Sequence, residues 1–165
     1  MTKVLFICHG NICRSPMAEF MMKDMVEKMG VKDDFLIESA ATSTEEIWGG
    51  RGNPVYPPAQ AELRRHGTGK TPYTDFSAKR AVQVTRADYG KYDYIICAEE
   101  RNVRNTARIT GGDPDGKIMC LLDFSDRPRN IADPWYTGVF DITYNDIEEG
   151  LHAFLRHLGY EEESR

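Results

Sequence analysis

The sequence predicts an α/β fold: a doubly wound parallel sheet of four strands with helices on both faces. Three observations lead there. Short uninterrupted apolar runs at residues 4 to 7, 35 to 37 and 94 to 97, with a weaker fourth at 118 to 122, have the character of parallel strands covered on both sides. Segments of helical spacing lie between them. Gly- and Pro-rich stretches interrupt the pattern where one element hands over to the next, and strand alternating with helix is the signature of a doubly wound sheet.

The first run, Val4-Leu5-Phe6-Ile7, leads through a polar turn into residues 16 to 30, PMAEFMMKDMVEKMG. Pro16 behind Ser15 as N-cap predicts the helix start, Gly30 its end, and Phe20, Met21, Met25 and Met29 recur at helical spacing. After the second strand, residues 58 to 66 (PAQAELRRH) read as a helix stopped by Gly67. Residues 99 to 109 follow the third strand as a helix with Glu and Arg on its surface. In 142 to 158, Ile147, Leu151, Phe154, Leu155 and Leu158 share one side. Stretches 49 to 58, 67 to 77 and 111 to 116 read as loops over a scaffold. Residues 1 to 160 are therefore expected to form a single domain, with 161 to 165 an acidic, solvated tail. A domain of this size buries about 70% of its unfolded surface and needs no covalent staple.

Composition narrows the setting. Four cysteines and no leader pattern predict a reducing cytoplasm. No apolar run approaches the ~20 residues that a membrane-spanning helix needs. A formal charge of −5, from 21 basic and 26 acidic residues, gives no footprint for nucleic acid, so any anion site must be local. His66, His152 and His157 have no ligand spacing with cysteines or carboxylates, which predicts no metal.

Residues 4 to 15, VLFICHGNICRS, carry the local anion site. If the strand ends at Ile7 and a helix starts near Ser15, the backbone N–H groups of Cys8 to Ser15 converge on one point. Gly10 is expected to supply conformational freedom, and the helix N-terminus adds its positive dipole end. That is a cradle for an oxyanion, most naturally phosphate. Arg14 offers a planar fork matched to two phosphate oxygens. Cys8, on the floor, is surrounded by groups that favour thiolate over thiol, and a thiolate facing phosphorus is a nucleophile. Taken singly, a cysteine after a strand reads as a small buried hydrophobe. The combination of Cys, five residues, Arg and Ser at a strand-to-helix turn reads as a site. It is not a nucleotide-binding Gly-Lys-Ser/Thr loop.

CHGNICRSPMAE resembles the signature Cys-x-Gly-Asn-Ile-Cys-Arg-Ser-Pro of the low-molecular-weight protein tyrosine phosphatases. The resemblance extends to SAATST (39 to 44), YDYIICAEERN (92 to 102) and DPWYTG (133 to 138), in order along nearly the whole chain. It implies a flavodoxin-like, phosphotyrosine phosphatase I-like fold with a four-stranded parallel sheet. It also implies catalysis without metal or cofactor, and hydrolysis of phosphotyrosine-containing proteins or aryl phosphates with inorganic phosphate as product. By resemblance Cys8 is the nucleophile, Arg14 the phosphate-binding guanidinium, and His9, Gly10, Asn11, Ile12, Cys13, Arg14 and Ser15 complete the loop. Asp133, by composition only an Asp-Pro turn, becomes the general acid and then the base for water. Ser15 assists the thiolate, and Asn11 and Ser39 prop the loop. Trp48, Trp135 and Tyr136 match the substrate rim, and Ile12 favours tyrosine where phosphoarginine-specific members carry Thr. Cys13 matches a second loop cysteine able to form a disulfide with the nucleophile, and equally reads as a small packed side chain. A monomer that binds neither nucleic acid nor membrane is expected.

Departures from the family pattern fall around this core. GNPVYPPA follows Trp48 where an acidic residue, Pro and Arg are common, Lys79 and Val82 stand where His and Arg are usual, and Glu99 replaces an aspartate. Rival readings are an arsenate reductase, whose disulfide relay would have to use Cys97 and Cys120, a phosphoarginine phosphatase, a non-catalytic phosphotyrosine-binding module and a flavin-phosphate binder.

Overall fold

The structure, a computed structural model, describes residues 1–161. The expected tail from Glu162 onward lies outside the described residues. Strand β1 (Thr2–Cys8) is flanked on one side by β2 (Phe35–Ala41) and on the other by β5 (Tyr94–Cys97), which pairs with β6 (Ile118–Cys120). All three pairings are parallel. Side chains alternate along β1: Val4, Phe6 and Cys8 face one core, Leu5 and Ile7 the other. The first core is closed by α1 (Arg14–Lys28), α2 (Pro57–Arg65) and α6 (Phe140–His157), the second by α4 (Glu100–Thr110).

The winding reverses at β1. The chain passes through α1 to β2 on one side, while β5 and β6 extend the sheet on the other, with α4 against the opposite face. The carboxyl ends of β1 and β5 therefore flank a topological switch point, where doubly wound sheets leave a crevice for ligand.

Several elements depart from the sequence reading. β2 runs on to Ala41 because Phe6, Ile7 and Cys8 continue the ladder against Ser39, Ala40 and Ala41. The fourth apolar run splits: after Cys120 the chain turns into a 3-10 helix, Leu121–Phe124, with Leu121 and Leu122 buried under α6. A short apolar run does not distinguish a strand from a buried helical turn. The 49 to 58 loop begins in a hairpin, β3 (Ile47–Trp48) just before it pairing with β4 (Arg51–Gly52) within it, closed by Gly49 and Gly50, both at positive φ. Two four-residue helices, α3 (Asp88–Lys91) and α5 (Pro134–Thr137), went unread because one turn has no period to detect. Among the described residues, no helix is long and apolar enough to cross a membrane.

The segment between the 3-10 helix and α5 is clamped onto α6. Arg129 bonds Asp146 at 2.8 Å and Glu149 at 2.9 Å, Arg127 reaches Glu149 at 2.9 Å, and the Ser125 hydroxyl donates to Glu149. The Arg129 guanidinium and then Ser125 hold the Glu149 carboxyl down at about 2. A carboxyl depressed in the folded state contributes stability above its unfolded pKa and loses that contribution as pH falls toward the folded one. The melting-temperature difference between wild type and Glu149→Gln is expected to be constant above about pH 5. It should shrink from there toward pH 2, measured by thermal unfolding across that range.

Candidate active site

β1 delivers Cys8 to the switch point, and the chain wraps at once into α1. Helix α1 starts at Arg14, two residues before the expected Pro16, with Cys13 as N-cap and no side-chain cap. Ser15 is therefore not a cap. It sits in the first turn with Oγ 3.0 Å from Cys8 Sγ. The backbone freedom assigned to Gly10 belongs to Asn11, the one non-glycine residue at positive φ (59°) among the described residues. Asn tolerates that conformation better than other side chains. Gly10 supplies room instead: a Cβ there would stand 3.2 Å from Glu46 Cγ.

Behind the loop a chain of hydrogen bonds has a definite direction. Glu19 Oε1 accepts from the Ser39 hydroxyl at 2.6 Å, which consumes the only Ser39 proton. The Asn11 amide then uses both hydrogens, one to Ser39 Oγ (2.9 Å) and one to Ser15 Oγ (2.8 Å). Ser15 Oγ is thus an acceptor toward Asn11. Its own proton points to Cys8 Sγ, the alternative acceptor being the Ala40 carbonyl at 3.5 Å. The Asn11 N–H adds a second donor to Cys8 Sγ at 3.3 Å. The sulfur thus faces two donors, a side-chain hydroxyl and a backbone N–H. The chain is anchored by cations: Lys23 bonds Glu19 at 2.8 Å, Lys79 stands 3.8 Å from Glu19 and donates to the Ser39 carbonyl at 2.9 Å. Burial pulls the Lys79 ammonium down and Glu19 opposes that pull. Lys79 therefore supports the loop through Ser39 and Glu19.

Asn11 also accepts from Val82 N at 3.1 Å, so its amide ties the loop to a segment far along the chain. Asn11→Ala would strand Ser15, Ser39 and Val82 and force Ala into a left-handed backbone. A loss of about 2–4 kcal/mol is expected, read by urea unfolding.

Arg14 is 2% exposed. Its Nη1 donates to the Ile131 carbonyl at 2.8 Å and lies 3.5 Å from Glu99 Oε2, while Nη2 stands 3.5 Å from Asp133 Oδ2. Asp133 is the N-cap of α5, accepting from Trp135 N at 3.0 Å through Oδ1. Its second oxygen faces the guanidinium. Burial, then the Cys8 sulfur, push the Cys13 thiol up.

These groups line a cavity of about 110 Å³, walled by Asp133, Trp135 and Tyr136 and by His9, Glu45 and Glu46. A much larger cleft, about 1040 Å³ between α1 and α6, holds neither cysteine nor arginine, and the smaller cavity is where the chemistry converges. Trp135 leans on Tyr56 with ring centroids 4.8 Å apart, and Tyr136 is 83% exposed. Trp48, expected on the rim, is 72% exposed on the hairpin and absent from the lining; Glu45 and Glu46 stand on that wall. Among the described residues, no group of three or more His, Cys, Asp or Glu has a metal-holding arrangement.

Glu19, Lys79, Glu99, Tyr56, Glu45 and Glu46 were not singled out as site residues. Lys79 and Glu99 had shown only as departures from the family pattern, and Glu19 left a signal of its own: it lies one turn after Ser15 as a lone acid in an apolar helical stretch, and it is 4% exposed.

The comparisons with known proteins agree with this geometry. The chain is 33% identical over 165 residues to the low molecular weight protein-tyrosine-phosphatase YfkJ of Bacillus subtilis, covering 99% of each. It is 36% identical over 157 residues to the low molecular weight phosphotyrosine protein phosphatase of Rattus norvegicus, covering 92% of each. The crystal structure of YfkJ superposes with a TM-score of 0.86, 32% identity and 96% and 95% coverage. A family model described as low molecular weight phosphotyrosine protein phosphatase matches residues 3–164. The chain belongs to the low molecular weight protein tyrosine phosphatase family.

Proposed function

We propose that this chain hydrolyses phosphotyrosine monoesters through a phosphocysteine on Cys8. The observation that carries the reading is the one-way hydrogen-bond chain from Glu19 to the Ser15 hydroxyl, which ends on Cys8 Sγ beside the buried Arg14 and Asp133. The Cys8 thiolate attacks phosphorus in line with the leaving oxygen. The S–P bond forms as the P–O bond to the aryl group breaks, and Asp133 transfers its proton to the departing phenol oxygen. Arg14 and the loop N–H groups stabilise the equatorial oxygens where negative charge spreads. In the second half Asp133 takes a proton from water, the hydroxyl adds to phosphorus, the S–P bond breaks and inorganic phosphate leaves with the thiolate restored.

The aromatic surfaces of Trp135 and Tyr136 suit a phenyl ring, and Ile12 lines the same cavity where a phosphoarginine phosphatase would carry a smaller polar residue. Cys97 and Cys120 are buried, and burial pushes both thiols up, Cys120 to about 12. They are poor candidates for a disulfide relay. Four free thiols suit a reducing cytoplasm. The test is kcat/KM on matched phosphotyrosyl, phosphoseryl and phosphoarginyl peptides. The phosphotyrosyl peptide should lead by about 10²-fold or more; a lead for phosphoarginine would overturn the assignment.

A further inference from the structure

Helix α4 starts beside the active site, where its N-cap residue Glu99 stands 3.5 Å from the Arg14 guanidinium, and it buries Asn102, Thr106 and Thr110. On its opposite side Arg101, Arg104 and Arg108 are exposed. Spacings of three and four residues set them in one row, roughly 10 Å long at 1.5 Å per residue. Among the described residues no carboxylate pairs with any of the three. Glu100, exposed and one turn before Arg104, forms no ion pair with it, and Arg108 reaches only the Asn105 side-chain oxygen at 3.4 Å. Arg65 and Arg127, also exposed, each pair with an acid, Glu62 and Glu149. Like charges at the spacing of the row cost a helix stability. A chain with 26 acidic residues and a formal charge of −5 nonetheless keeps the row clear of them.

We propose that Arg101, Arg104 and Arg108 form an exosite for an acidic segment of the phosphoprotein substrate, several residues away from its phosphotyrosine. The proposal rests on the phosphotyrosine reading and deepens it. Arginine at all three positions suits carboxylates, whose two oxygens match the guanidinium fork. No large hydrophobic residue is exposed on α4, and a lipid surface would need one. The net charge of −5 opposes a partner as densely charged as nucleic acid. A short acidic peptide meets neither objection. The row begins next to the residue that contacts Arg14, so a chain with its phosphotyrosine on the cavity floor can continue onto it.

The test uses two peptides alike around phosphotyrosine that carry, beyond a neutral spacer, a tail of glutamates or of serines. A spacer of about six residues spans ~20 Å when extended. p-Nitrophenyl phosphate, which has no tail, is the reference. In wild type the glutamate tail is expected to lower KM by roughly five- to tenfold at low salt with kcat unchanged, an effect that fades as salt rises. Arg104→Ala should remove part of that gain. The triple variant Arg101→Ala, Arg104→Ala, Arg108→Ala should remove all of it and keep wild-type kinetics on p-nitrophenyl phosphate. A wild-type KM indifferent to the tail, a gain that survives in the triple variant, or one just as large when the glutamates adjoin the phosphotyrosine overturns the proposal and leaves the phosphotyrosine reading intact. The same holds if the triple variant loses retention on phosphatidylserine vesicles or single-stranded DNA while its peptide constants stay unchanged. Hydrolysis of p-nitrophenyl phosphate with neither peptide turned over would sink the phosphotyrosine reading as well.

Discussion

Cys8→Ser is expected to hydrolyse p-nitrophenyl phosphate at least about 10⁴-fold more slowly than wild type and to yield no covalent phosphoenzyme on acid quench. The substitution changes one atom in a side chain that is 3% exposed, so the fold and phosphate affinity should survive. What disappears is the nucleophile. Every feature around position 8 is arranged for a soft anion: the Ser15 hydroxyl at 3.0 Å, the Asn11 N–H at 3.3 Å, and the Arg14 guanidinium lining the same cavity. A serine hydroxyl keeps its proton at neutral pH and has no adjacent base to take it. Rapid acid quench followed by intact-mass measurement reads the result directly. Wild type should carry one phosphoryl group during turnover and the variant none. Near wild-type turnover by Cys8→Ser would remove Cys8 from the mechanism.

Asp133→Asn should lower kcat by about 10²–10⁴-fold on phosphotyrosyl substrates, and by much less on aryl phosphates whose phenols leave readily without a proton. Asparagine is the informative replacement because it is an equally good N-cap. It retains the acceptor that Trp135 N uses and keeps the short helix α5 in place. Alanine would lose the cap as well as the acid, confounding loop order with proton transfer. Steady-state rates over a series of leaving groups separate the two. The slope of log kcat against phenol pKa should steepen in Asp133→Asn. An unchanged slope would assign the proton transfer to another group.

Much of this site was legible because it is local. Cys8, Asn11, Arg14 and Ser15 lie within eight residues, and one strand end and one helix start position them together. The strand and helix pattern was legible for a related reason: periodicity is a property of neighbouring residues. Reading failed where function depends on partners distant in sequence. Ser15 was expected both to cap α1 and to assist the thiolate; the cap is absent, and the approach of Asn11, Ser39 and Glu19 turns its proton toward sulfur. Arg14 is aimed by the Ile131 carbonyl, 117 residues away, which carries no side-chain signal at all. Trp48 had the right chemistry for a rim, but the two-glycine turn carries it out on a hairpin and leaves Glu45 and Glu46 at the wall.

The sequence by itself determined the alternation of strand and helix and the cradle between β1 and α1 that holds Cys8 and Arg14, because short-range sterics and hydrophobic periodicity act within each segment. The tertiary structure alone decided which way each proton points and which charges face the cavity. A hydrogen bond takes its direction from the acceptor at the end of the chain, and here that acceptor, Glu19, reaches Cys8 only through Ser39, a residue that the fold supplies from the neighbouring strand.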